Sequence, residues 1–92
     1  RMGRLIEVAH DHFFLRETVA EMAGIAASIA EADAGRIVTA ASFRDRLDNG
    51  RKVAIQILEF FDRSGVTIRK GDERRVRPDR VELFGPVPRL PA

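Results

Sequence analysis

The stretch 49-NGRKVAIQILEFFDRSGVTIRKGDERR-75 holds a helix pattern and a hairpin pattern back to back. Ala54, Ile57, Leu58 and Phe61 recur at helical spacing, which predicts a helix over about 50–63 with one apolar stripe. Arg51, Lys52, Gln56, Glu59 and Asp62 mostly fall away from that stripe. Ser64-Gly65 is a stop signal, with Gly65 the expected left-handed residue after the helix. Two β-prone segments follow, VTIRK and RRVRP. They flank Gly71-Asp72, the signature of a hairpin. Before the stretch, Asp48 and Asn49 tolerate turn conformations, and Asn49 can cap the helix that follows.

Toward the N-terminus, Val19, Met22, Ala23, Ala26, Ile29 and Ala30 sit at i, i+3, i+4, i+7 spacing and predict a helix over Arg16–Ala32. It is expected to end near DAG, with Gly35 in the left-handed region. RIVT (36–39) is a short strand candidate. AASFRDRL (40–47) reads as a second short helix, N-capped by Thr39 with help from Ser42. DHFFL (11–15) is a brief strand candidate, and VELF (81–84) is either an edge strand or packing on the core.

From residue 16 the order is therefore helix, short strand, helix, tight turn, helix, β-hairpin. That is the order of a winged helix-turn-helix, an α+β (mostly α) fold with three helices and a hairpin wing. Residues 16–85 form the domain, 1–15 a lead-in or linker, and 86–92 a Pro-rich tail.

Composition narrows the function. The chain has 92 residues and 45% hydrophobic content, enough for one small core. It has no Cys, which excludes disulfides, thiolate metal sites and Cys nucleophiles and makes a reducing, cytoplasmic setting the expectation. No signal peptide is visible, and the apolar stretch at 22–30 is too short to span a membrane. Residues 1–33 hold 3 basic and 6 acidic side chains, whereas residues 34–92 hold 13 basic and 8 acidic. Such asymmetry points to a polyanionic partner for the basic part.

No phosphate loop of either common type occurs, and no serine has a patterned His base, so no catalytic residue is expected. His10 and His12 flank Asp11, but no distant third ligand accompanies them, so no metal is expected. Two basic clusters remain. Arg51 and Lys52 fall in the first turn of the third helix, where their charge opposes the helix dipole but suits a bound phosphate. Arg69, Lys70, Arg74, Arg75 and Arg77 surround the hairpin turn. Alternation sends about half of them to one face. The phenylalanines read as core, and with no Tyr or Trp there is no base-stacking platform.

Phe43-Arg44-Asp45-Arg46-Leu47, Arg51-Lys52, the run Ala54 to Arg63, Gly65-Val66-Thr67 and Arg69-Lys70-Gly71-Asp72 together resemble the last winged-helix domain of bacterial selenocysteine-specific elongation factors. The likeness covers about residues 43–77. Asp48 and Ile68 depart from it, standing where the family often has Gly and a basic residue. The resemblance implies an RNA-binding domain that recognises the mRNA selenocysteine insertion hairpin to direct UGA recoding. It implies contacts from Arg51, Lys52, Arg69, Lys70, Gly71 and Asp72, with Arg74 and Arg75 as further candidates. It also implies a parent factor that uses GTP and works with selenocysteinyl-tRNA and the ribosome, while this domain, a monomer, holds no cofactor. The alternative is a DNA-binding winged helix of a transcription regulator. Glu59 and Asp62 on the third helix speak against its insertion in a major groove.

Overall fold

The computed structural model describes residues 5–47 and 50–87. Three helices carry the core. α1 spans Arg16–Ala32, α2 Ala40–Leu47 and α3 Arg51–Ser64. The expected apolar positions of α1 are all buried, and so are Ala54, Ile57, Leu58 and Phe61 of α3. They close around Phe43 of α2, which is fully buried. Burying a side chain such as Phe43 or Leu58 contributes about 1.5–3 kcal/mol. Phe60 and Phe84 pack at the margin of this core, ring centroids 5.3 Å apart.

The wing is a three-stranded antiparallel sheet. Its strands are β3 (Val38–Thr39), β4 (Thr67–Lys70) and β5 (Glu73–Val76), in the order β3–β5–β4. β5, last in sequence, lies in the middle, so the short strand between α1 and α2 ties the wing to the helices. Gly71 has φ +65° and Asp72 a negative φ, the sign pattern of the two-residue type II′ turn that Gly in first position favours. Gly65, at φ +89°, ends α3, and the Val66 N–H donates to Phe61 O at 2.9 Å.

Local chemistry sets the entry to α2. The Ser42 N–H donates to Thr39 Oγ1 at 3.1 Å and the Thr39 N–H donates to Ser42 Oγ at 3.0 Å, a reciprocal cap. At the end of α1 the structure corrects the expectation for Gly35. The Asp33 carboxylate accepts the N–H groups of both Gly35 and Ile37, and that turn passes the left-handed conformation to Arg36, at φ +62°. An arginine held there costs about 1–2 kcal/mol of backbone strain.

The segment 5–15, expected as lead-in, is a hairpin of β1 (Leu5–Ala9) and β2 (His12–Leu15). Its Val8 is fully buried in the core, and the Arg63 guanidinium donates to Val8 O at 2.7 Å. VELF forms no strand. After a single 3-10 turn at Pro78–Arg80, Val81 and Phe84 pack on the core. The expected Asp48-Asn49 turn and cap, the start of the lead-in and nearly all of the Pro-rich tail lie outside the described residues.

Candidate nucleic-acid interface

The start of α3 and the front of the wing face one another. Between them is a hollow of about 280 Å³ lined by Arg51, Ile55, Arg69, Asp72, Arg74 and the start of α2 from Thr39 to Ala41. Arg51 and Lys52 are exposed in the first turn of α3. The residue before them is Gly50, whose lack of a side chain leaves it nothing with which to cap the first-turn N–H groups. A helix start of this kind attracts an anion through its dipole and free donors.

The wing contributes by alternation. Arg69 and Arg74 are cross-strand partners and share the front face with Thr67 and Val76. Arg69 is braced: its Nε donates to Gly71 O at 2.8 Å, and its Nη1 lies 3.9 Å from Glu59 Oε2 on α3. Arg74 is placed differently from Arg69. Only 3% of it is exposed, and its Nε donates to both carboxylate oxygens of Asp62, at 3.1 and 3.2 Å. Thr67 Oγ1 donates to the same carboxylate at 2.6 Å. This cluster joins α3 to both long strands of the wing, so Arg74 holds the floor of the hollow, while the more exposed Arg69 stands at its edge, braced by Gly71 O and Glu59.

Gly71 and Asp72 form the exposed tip of the wing beside the hollow. Lys70 and Arg75 fall on the opposite face, along with Ile68, which is 56% exposed. The structure thus brings Arg51, Arg69, Asp72 and Arg74 together, sets Lys52 on the same helix turn as Arg51, and directs Lys70 and Arg75 elsewhere. Sequence reasoning missed the wall formed by the start of α2. Its one signal was the Thr39-x-x-Ser42 cap, which fixes that end of α2 beside the wing.

The histidines separate. His12 Nδ1 donates to Gln56 Oε1 at 2.8 Å, and its ring lies on Phe14, so it fastens the N-terminal hairpin to α3. His10 sits at the exposed hairpin tip with Glu7 and Asp11, their ligand atoms within 4.8 Å of one another. Among the described residues, no helix is long and apolar enough to cross a membrane.

A three-helix unit whose third helix starts opposite a sheet wing, with arginines on both sides of the gap, defines a winged-helix domain. A family profile described as "Elongation factor SelB, winged helix" matches residues 30–76, and the chain belongs to that family. The selenocysteine-specific elongation factor of Haemophilus influenzae is 38% identical over 81 residues, which cover 88% of this chain and 13% of that protein. That of Escherichia coli is 38% identical over 77 residues, covering 84% and 12%. That of Desulfomicrobium baculatum is 32% identical over 75 residues, covering 82% and 12%. The chain therefore spans only 12–13% of the length of these relatives. Among solved structures, the mRNA-binding domain of elongation factor SelB from E. coli, in complex with SECIS RNA, matches with a TM-score of 0.73 and 39% identity. The match covers 82% of this chain and 60% of that one.

Proposed function

We propose that this domain binds an mRNA hairpin of the selenocysteine insertion (SECIS) type and so marks a UGA codon for recoding. The observation that carries the reading is the hollow in which Arg51 of α3 meets Arg69 of the wing. Its support from outside the chain is the 39% identical SelB domain solved with SECIS RNA. The geometry suits RNA because the deep, narrow major groove of an A-form helix refuses a protein helix. A domain that reads RNA must therefore grip backbone and loop from a helix end and a wing, which is where the exposed cations Arg51, Lys52 and Arg69 stand. Arg51, Lys52 and Arg69 hold phosphates, the Gly71-Asp72 tip approaches loop nucleotides, and Arg74 positions the wing through Asp62.

The DNA alternative finds less support. Insertion of α3 into a major groove places exposed Glu59 against phosphates or bases. Asp62 does not add to that objection, because its carboxylate is turned onto Arg74. The parent factor is placed by the same reading among the selenocysteine-specific elongation factors of the cytoplasm. GTP, the ribosome and selenocysteinyl-tRNA are then handled outside these 92 residues.

The test is a titration of the domain with a UGA-adjacent mRNA hairpin, a hairpin of scrambled loop and duplex DNA. The first should bind most tightly, with log K falling against log salt at a slope of roughly −2 to −3 as about three phosphates are neutralised. Equal affinity for all three nucleic acids overturns the reading.

A further inference from the structure

The end of β5 next to α1 carries a second feature. A groove of about 480 Å³ runs between α1 and β5, lined by none of the residues that line the hollow. Ala27, Val76 and Val81 form an apolar floor, and Arg36, Arg75 and Glu31 line the groove with them. Arg75 Nη1 donates to Gly35 O at 3.4 Å. Among the described residues, neither Arg36 nor Arg75 has a carboxylate within ion-pair distance. Arg36 is moreover the residue held at φ +62°, in a turn that has Gly35 next to it. A left-handed arginine kept beside a glycine indicates a side chain needed where that conformation puts it.

We infer that this groove is a second RNA subsite, taking one single-stranded nucleotide that flanks the hairpin. This rests on the proposed hairpin binding. The Arg36 and Arg75 guanidiniums hold its phosphate, the apolar floor receives the base, and the Glu31 carboxylate accepts a base N–H. Two unpaired cations beside an apolar floor complement a nucleotide, which is anionic at one end and flat and weakly polar at the other. Continuity supports the same occupant. Lys70 and Arg75 share the back face of the wing, so a strand leaving the base of the bound stem can reach the groove past positive charge on that side.

The experiment compares a blunt hairpin with the same hairpin carrying a four-nucleotide single-stranded extension on its 5′ or 3′ side. For the unaltered domain, one of the two extensions should tighten binding about ten-fold and steepen the salt slope by about 1. Arg36→Gly should abolish that gain and leave the affinity for the blunt hairpin within about two-fold. This variant relieves the left-handed strain, so its melting temperature should not fall. Ala27→Leu, a good helix former that fills the floor, should abolish the gain sterically, without a change of charge. If neither extension changes the affinity of the unaltered domain, the subsite is wrong and hairpin binding stands. A gain that survives both substitutions also overturns it, as does occupation of the groove by an acidic peptide in place of RNA. Failure of every hairpin to bind overturns the proposed function and this subsite together.

Discussion

Asp62→Ala is expected to lower the unfolding free energy by about 3 kcal/mol, toward the low end for a broken buried ion pair because the aspartate is partly open. Side-chain exposure is 4% for Arg74 and 20% for Asp62. The substitution leaves a guanidinium in the interior with no carboxylate partner among the described residues, and it also removes the acceptor for Thr67 Oγ1. A domain of this size has about 5–15 kcal/mol in total, so the loss is a large fraction of it. Urea unfolding followed by circular dichroism reads the change. A cost under about 1 kcal/mol, the range of exposed pairs, contradicts a structural role for this cluster. Because Asp62 is on α3 and Thr67 and Arg74 are on the wing, hairpin affinity should fall with stability in this variant.

Arg51→Glu should separate the two quantities. Arg51 is exposed at the start of α3, and no ion pair with it occurs among the described residues. A glutamate there favours the helix dipole, so stability should hold or rise by a few tenths of a kcal/mol. Affinity for the mRNA hairpin should nevertheless drop about 100-fold, since one charge-assisted phosphate contact is replaced by repulsion. Fluorescence anisotropy against a thermal melt of the same sample checks both. A large drop in melting temperature instead shows that Arg51 serves the fold.

Helical elements were legible because burial in them follows a long period. The apolar stripes of α1 and α3 repeat over several turns, so α1 is observed at Arg16–Ala32 as expected and α3 within one residue at each end. Gly65 and Gly71 announced themselves because only glycine takes their backbone without strain. β1 did not, since LIEVA places a glutamate mid-strand and its turn uses Asp11 at φ +58°, a conformation no Gly marks. Arg36 was hidden for a related reason. Side-chain hydrogen bonds from Asp33 shifted the left-handed position one residue past the glycine.

At the interface, the sequence carried the two clusters but not the sides of the wing. Four residues of alternating strand say that Arg69 and Lys70 diverge, and that Arg74 and Arg75 do. Only the position of Asp62, in the last turn of α3 and twelve residues back in sequence, decides that Arg74 is the inward one. The convergence of Arg51 with Arg69 brings the start of α3 beside β4, a tertiary approach that no local sequence pattern announces.

The start of α3 and the front of the wing are expected to hold the same RNA. The most direct measurement of this is an amide chemical-shift titration of the domain with the UGA-adjacent hairpin. Arg51 and Lys52 should shift together with Arg69, Lys70, Gly71 and Asp72, at the same RNA concentration, while Gln56 and Glu59 stay near their free positions. Shifts centred on Gln56 and Glu59, with the wing tip silent, contradict the claim and restore insertion of α3 into a groove.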